Sequence, residues 1–167
     1  IMVSSRECKI YRITPRRNDE VNDSWMTDSG RSLYKRVHSE GRLASPMINQ
    51  VKSTLEESVS SSVTLLKDRK VAIVGSCHST LEELYVLNIL SKVTKVKKYL
   101  RGHFGCVDGI LLSAERSPNL RGALYSGFTN TYPKDNLKKL NSDLQKGFIK
   151  TILVVNEDLL NSGVEAE

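Results

Sequence analysis

The sequence has little cysteine, and its three cysteines are far apart. Cys8, Cys77 and Cys106 include no Cys-x-x-Cys pair. An odd count without paired spacing argues against a disulfide framework and against a self-contained zinc site. His38, His78 and His103 are isolated too, so they do not suggest a metal site. We therefore expect free thiols in a reducing compartment and no metal bound by this segment.

Long apolar runs and aromatic residues are also scarce. No stretch approaches the ~20 apolar residues that a membrane-spanning helix needs, and no targeting segment opens the chain. The chain starts at Ile1, which indicates a piece of a longer protein. Hydrophobic residues make up 39% and charged residues 26% of the chain, as in a soluble globular domain. The single tryptophan, Trp25, stands in a polar loop.

Positive charge is in excess but scattered, with a formal net charge of +6. The densest group of cations comprises Lys92, Lys95, Lys97, Lys98 and Arg101. A nucleic-acid surface usually adds interleaved aromatics or a known motif, and only one tyrosine lies among these cations. We predict a solvated face, or a face towards an acidic partner, and no nucleic-acid binding.

The pattern of apolar residues predicts an α/β body after a short first part. Residues 9–15 alternate like a strand, and residues 16–32 are irregular. Further on, the spacing predicts a helix over 51–66, a buried strand over 70–76, a helix capped by Ser79 and Glu82, a second helix over 136–148 and a strand over 149–155. Ile110–Leu112 is a possible further strand. This order predicts a Rossmann-like parallel sheet.

A candidate ligand site lies where the strand over 70–76 meets the next helix. Gly75, Ser76, Cys77 and Ser79 stand at this junction, where open α/β sheets bind ligands and a helix start can hold an anion. Cys77 beside His78 raises the alternative of an activated thiol. The Gly-x-Gly-x-x-Gly and P-loop patterns are absent, so an ordinary turn is the preferred interpretation.

The loop around Trp25 carries a resemblance to a known family. Residues 13–31, ITPRRNDEVNDSWMTDSGR, resemble the segment that closes the iron–sulfur domain in the molybdopterin oxidoreductase superfamily. The spacing is most similar to the large iron–sulfur subunit of respiratory complex I, which is called the G subunit in bacteria. Residues 41–48, 108–123 and 149–159 resemble later segments of the same family in the same order, with Asn156 where glycine is usual.

The resemblance implies two domains. Residues 1–45 would be the rear of a small β-containing iron–sulfur-type subdomain with its connector. Residues 46–167 would begin an α/β body of the molybdopterin oxidoreductase type. The structural motif carried over comprises Asn22, Trp25, Asp28, Gly30 and Arg31. Trp25 would pack beside the cluster position and pin its loop to the α/β body, while Asp28 and Arg31 would fix the loop by hydrogen bonds.

Thr27 departs from the family pattern. Cluster-bearing relatives have the fourth cysteine ligand of a [4Fe–4S] centre at this position, and a threonine hydroxyl is too basic to replace a thiolate. We therefore expect no cofactor in this segment and no catalytic residues. The parent subunit would carry its [2Fe–2S] and [4Fe–4S] clusters upstream.

The resemblance implies a structural role in the peripheral arm of complex I, which transfers electrons from NADH to quinone. Its partners would be other peripheral-arm subunits, on the bacterial cytoplasmic or mitochondrial matrix face of the inner membrane. Two alternatives stay open: a fragment of a catalytic molybdopterin enzyme such as a formate dehydrogenase, and a free-standing interaction domain. Molybdenum or tungsten would identify the first alternative, and failure to co-purify with complex I would identify the second.

Overall fold

The structure is a computed structural model that describes residues 1–67, 70–110, 112–133 and 135–161. Contacts between Cα atoms divide the chain into two compact units, Ile1–Ser58 and Val59–Glu167. The change of sequence pattern near residue 45 lies inside the first unit. Whether the two parts have the expected family origins stays a prediction. Among the described residues, no helix combines the length and the hydrophobicity that a membrane span needs.

The first unit is built from two small hairpins and two short helices. Strands β1 (Met2–Arg6) and β2 (Lys9–Thr14) pair antiparallel, with a register shift between Ser4 and Ser5. Helices α1 (Asp28–Ser32) and α2 (Tyr34–Val37) follow. Strands β3 (Met47–Ile48) and β4 (Val51–Lys52) form the second hairpin. The sequence pattern predicted β2 but neither β1 nor the second hairpin, because these strands bury few side chains.

Both hairpin turns place two non-glycine residues in the left-handed region. Glu7 and Cys8 have φ values of 51° and 61°, and Asn49 and Gln50 have φ values of 50° and 65°. Two-residue hairpin loops of this kind favour Asn-Gly, because glycine adopts positive φ without steric cost. The turn at Glu7 and Cys8 therefore carries avoidable strain.

Replacing Glu7 with asparagine and Cys8 with glycine should stabilise the first hairpin. We expect the double variant to raise the free energy of unfolding by about 1 kcal/mol, because both residues then suit the turn. Thermal denaturation followed by circular dichroism measures the change. The exposed pair Ser39→Asn and Glu40→Gly, outside the turn, is the control. A loss of stability in the turn variant would contradict this account of the turn.

The second unit has a three-stranded parallel sheet with helices around it. Helix α3 (Leu55–Leu66) crosses the division between the units. Strands β5 (Val71–Ser76), β6 (Lys97–Arg101) and β7 (Thr151–Val154) lie in the order β6-β5-β7, and both pairs are parallel. The helices are α4 (Leu81–Thr94), α5 (Leu120–Tyr125) and α6 (Asn136–Gln145). The expected α/β class with a parallel sheet is confirmed; its assignment to the molybdopterin type stays a proposal.

The central strand β5 explains why this unit folds as it does. All six of its residues are buried, as in a parallel strand covered on both faces. One buried cluster contains Ile73, Leu84, Leu100 and Phe128. A second contains Val74, Tyr99, Leu140 and Ile149. Since alternate residues of β5 point to opposite faces of the sheet, the two clusters form cores on its two sides.

Several expectations about individual elements were wrong. The N-cap of α4 is Thr80, which forms the capping box with Glu83. Residues 79–83, STLEE, contain the Ser/Thr-x-x-Glu pattern in two registers. Ser79 is instead buried and accepts a hydrogen bond from Asn156. The capping box therefore lies one residue later than predicted.

Strand β6 was missed because its sequence, KKYLR, carries three cations in five residues. Ile110 and Leu112 are not in a strand, and Leu111 lies outside the described residues. Helix α3 begins at Leu55, because Val51 belongs to β4. The apolar stripe of α3 is exposed in this chain, with no buried residue in the helix.

Candidate functional site

The loop that precedes α1 is held by short-range hydrogen bonds. The carbonyl oxygen of Asn18 accepts from the backbone N–H groups of Val21, Asn22 and Asp23. The side-chain amide of Asn22 donates to the carbonyl oxygen of Trp25 at 3.0 Å, and the N–H of Trp25 donates back to the Asn22 carbonyl at 2.8 Å. Asn22 therefore fixes the backbone at Trp25.

Thr27, at the expected position of a lost cysteine ligand, is the N-cap of α1. Its hydroxyl oxygen accepts from the N–H of Gly30 at 3.2 Å and from the hydroxyl of Ser29 at 3.1 Å. A Cβ added at Gly30 would lie 3.0 Å from Met26 and 3.2 Å from the Thr27 hydroxyl. Asp28 and Arg31 occupy the first and last turns of α1, where their charges suit the helix dipole. Position 27 thus has a structural function of its own.

The expected packing of Trp25 against the α/β body stays a prediction. Within this chain the Trp25 side chain is 82% exposed. It lines a recess of about 340 Å³ together with Pro15, Arg16 and Asn22. The described residues also show no side-chain ion pair for Asp28 or Arg31. The fixed backbone presents Trp25 to the outside.

The residues of this segment do not fit a [4Fe–4S] cluster. Such a cluster takes cysteine thiolates, and position 27, where the resemblance implies a ligand, is a threonine. Cys8 lies in an exposed hairpin turn, away from that position in the sequence. Thr27 offers a hydroxyl that already caps α1. Within residues 1–67, 70–110, 112–133 and 135–161, no group of three or more His, Cys, Asp and Glu side chains is arranged to hold a metal ion.

The second candidate site lies at the carboxyl ends of the parallel strands, and Gly75 there is a packing residue. A Cβ at Gly75 would lie 3.1 Å from the ring of Phe128 and 3.4 Å from Leu84. The ring therefore occupies the space above this glycine. Gly75 allows the close approach of a core side chain, so a ligand is not needed to explain it.

Ser76 belongs to a polar cluster that the sequence did not reveal. Its hydroxyl donates to the carboxylate of Glu157 at 2.9 Å, and the same carboxylate oxygen lies 3.1 Å from Nε2 of His103. Ser76 ends β5, His103 follows β6 and Glu157 follows β7. Ligand sites of open α/β sheets lie at the carboxyl ends of the strands, so a prediction of β6 would have placed these three residues together. The Ser76 hydroxyl thus donates to Glu157 and not to His103. The arrangement is therefore not a nucleophile activated by a histidine.

Ser79 and Cys77 are also bonded within the chain. The Ser79 hydroxyl accepts from the side-chain amide of Asn156 at 3.2 Å, and the Ser79 carbonyl accepts from that of Asn119 at 2.9 Å. The N–H of Cys77 donates to the Arg101 carbonyl, and its carbonyl accepts from the N–H of Asn119. The carboxylate of Glu83 caps the start of α4. Negative charge already occupies this helix start and opposes an anionic ligand.

Cys77 is expected to be an unreactive thiol. Burial, followed by the negative charges of Glu157 and Glu115, raises the pKa of Cys77 to about 11. At pH 8 the thiol is protonated as well as fully buried. A thiol-specific disulfide reagent should therefore label Cys8 and Cys106 in the folded chain, and Cys77 after unfolding in guanidinium. Rapid labelling of all three cysteines in the folded chain would contradict the burial of Cys77.

Comparisons with known proteins match part of the chain. Residues 1–35 match the family described as NADH-ubiquinone oxidoreductase NDSU1/NuoG-like, 4Fe-4S domain. The G subunit of NADH-quinone oxidoreductase from Pseudomonas fluorescens is 31% identical over 91 residues, which cover 54% of this chain and 10% of the relative. No solved structure gives a significant match.

Relatives from other bacteria carry the same name. The G subunit of NADH-quinone oxidoreductase from Rickettsia conorii is 28% identical over 97 residues, covering 54% of this chain and 14% of the relative. The G subunit from Rickettsia prowazekii is 27% identical over 111 residues, which cover 62% of this chain and 16% of the relative. The matched part is thus a small fraction of each relative's length. The resemblance expected from the motifs is confirmed: this chain is similar to a segment of the NADH-quinone oxidoreductase G subunit.

Proposed function

We propose that this chain is a structural segment of the G subunit of NADH–quinone oxidoreductase. In this proposal it contributes to the peripheral arm, on the bacterial cytoplasmic or mitochondrial matrix face of the inner membrane, and contacts other subunits of that arm. The clusters that carry electrons from NADH to quinone belong to other parts of the parent subunit. The observation that carries the proposal is the match of residues 1–35 to an iron–sulfur domain of that subunit, combined with Thr27 as a helix cap.

The internal bonding of the strand ends supports a structural role for the second unit. Phe128 covers Gly75, and Ser76, Cys77 and Ser79 have partners within the chain. We infer that these four residues hold the fold and do not bind a nucleotide or pterin. An α/β body of the molybdopterin oxidoreductase type that has kept its framework is consistent with this bonding. The three relatives described above carry the name of the NADH-quinone oxidoreductase G subunit, which does not favour a catalytic molybdenum enzyme.

Incorporation into the complex tests the proposal. An epitope-tagged chain is expressed in the cells that make it, and solubilised membranes are separated on a native gel. We expect the tag to migrate with the band that oxidises NADH. A tag that migrates alone would support a free-standing domain, and a tag that migrates with a molybdenum-containing enzyme would support the catalytic alternative.

A substitution of Trp25 tests whether this side chain contacts the other subunits. Exposed tryptophans held on a fixed backbone often dominate protein interfaces. We expect Trp25→Ala to reduce the tag recovered with the complex about tenfold, while the stability of the isolated chain stays unchanged. Tyr125→Ala removes another aromatic, 86% exposed, from the second unit and is the matched control. Equal recovery of the Trp25 and Tyr125 variants would exclude Trp25 as a contact.

A further inference from the structure

A groove of about 640 Å³ lies between strand β6 and helix α6. We call it the basic groove. Its α6 side is formed by Lys138, Lys139, Ser142 and Lys146, and its β6 side includes Lys97. Positions 138, 139, 142 and 146 lie on one face of a helix, because residues three and four apart are neighbours there. The sequence alone did not connect these lysines with the cations of β6, which are about 40 residues earlier.

The lining of the basic groove includes Asp143, whose negative charge is balanced by a lysine of the same chain. Lys97 forms an ion pair with Asp143 at 2.7 Å, and the hydroxyl of Tyr99 donates to the same carboxylate oxygen. The hydrogen bond from Lys97, followed by that from Tyr99, holds the pKa of Asp143 below its usual value. Asp143 thus stays ionised, and its charge is balanced by Lys97.

The lysines on the rim differ from Lys97 in their ion pairing. Lys138, Lys139 and Lys146 are exposed, and no carboxylate of the described residues lies within ion-pair distance of them. Asp135, at the start of α6, is the other acid of the groove lining. The groove therefore presents an excess of positive charge along one helix face. Such a surface attracts a partner of opposite charge.

The layout of these cations indicates the chemistry of the partner. Lys138 and Lys146 are eight residues apart, which is about 12 Å along the helix axis. Side chains four residues apart on one face of an extended peptide are about 13 Å apart, so two carboxylates at this spacing match the two ammonium groups. A phosphate site would instead have converging donors or an unoccupied helix start, and Asp135 stands at the start of α6. The Tyr99 ring is buried and offers no stacking surface for a base.

We propose that the basic groove binds an extended acidic segment, rich in aspartate and glutamate, of another polypeptide. Lys138, Lys139 and Lys146 contact the carboxylates of that segment, while the Lys97–Asp143 pair holds β6 and α6 in place. This binding rests on the groove alone and does not depend on the proposed role in NADH–quinone oxidoreductase.

A labelled twelve-residue peptide of alternating aspartate and glutamate tests the proposal. Its binding to the full chain is measured by fluorescence anisotropy at low and at physiological salt. We expect Lys138→Gln, Lys139→Gln and Lys146→Gln together to weaken binding about tenfold or more. The control variant carries Lys35→Gln, Lys52→Gln and Lys92→Gln, which remove the same charge from exposed positions elsewhere. We expect this control to change binding by less than about twofold. Circular dichroism checks that both variants fold.

The outcomes separate the possible anions. Binding of the peptide that is lost only in the groove variant supports the proposal. Equal weakening in both variants would show that net charge alone attracts the peptide and would overturn it. Inorganic pyrophosphate or a twelve-nucleotide single-stranded DNA that binds the groove more tightly than the peptide would also overturn it. The absence of peptide binding at low salt would do so as well.

Discussion

Replacing Phe128 with alanine is expected to lower the free energy of unfolding by about 3–5 kcal/mol. Phe128 is 1% exposed and packs in the same buried cluster as Ile73, Leu84 and Leu100. Its ring also covers Gly75 of the central strand. Removing the ring leaves a cavity on one face of the sheet, and the surrounding backbone cannot close it. Urea unfolding followed by far-ultraviolet circular dichroism measures the loss.

Two further variants show whether Phe128 acts through Gly75. Tyr125→Ala removes an exposed aromatic three residues earlier and should change stability by less than about 0.5 kcal/mol. Gly75→Ala alone should cost about 1–3 kcal/mol, because the new methyl group would meet the ring at 3.1 Å. In the Phe128→Ala background the same change should cost much less. Additive effects of the two substitutions would contradict the contact.

Replacing Asn88 with leucine is expected to destabilise the chain by about 2–4 kcal/mol, although the two side chains are similar in size. The buried Asn88 amide donates to the Ser126 carbonyl at 2.8 Å, and its oxygen accepts from the ammonium group of Lys98 at 2.6 Å. Lys98 also donates to the carbonyl of Gly127 at 2.7 Å. Leucine would leave Ser126 and Lys98 without these partners in a partly desolvated place. The same urea experiment measures the effect.

A double-mutant cycle with Lys98→Met tests the source of this loss. Part of the destabilisation by Asn88→Leu should come from the Lys98 ammonium group, which loses its hydrogen bond to Asn88. In the Lys98→Met background, Asn88→Leu should therefore lower the free energy of unfolding by less. The Ser126 carbonyl still loses its donor, so part of the cost should remain. An unchanged cost in the Lys98→Met background would mean that the Lys98 hydrogen bond contributes little.

The fold could be predicted wherever apolar residues are continuous or periodic. The buried run of β5, the leucines of α6 and the stop at Gly147 are of this kind, and Gly147 has the positive φ expected of a helix end. Strand β6 lacks such a signal, because three of its five residues are cations. The hairpin at Glu7 and Cys8 lacks it as well, since its turn uses residues that rarely adopt positive φ.

The candidate sites show a similar limit. The sequence located the carboxyl end of β5, where Ser76 lies, because a strand followed by a helix start marks such an end. It did not identify Glu157, which accepts from Ser76, or His103, which lies beside the same carboxylate. The order β6-β5-β7 brings these residues together. The motif at Trp25 pointed to the family, yet no sequence pattern indicated that Trp25 would be 82% exposed. Burial depends on contacts between distant residues, and a local pattern does not contain them.

We propose that this segment contributes structure, and no redox centre, to a G-type subunit. Iron and acid-labile sulfide, assayed on the purified chain after anaerobic reconstitution, test it directly, with the Thr27→Cys variant assayed alongside. We expect only traces of iron and sulfide in both proteins, because residues 1–35 contain one cysteine, or two in the variant, and a [4Fe–4S] cluster takes four thiolates. About four iron atoms and four sulfides per unmodified chain would show a [4Fe–4S] cluster and contradict the account.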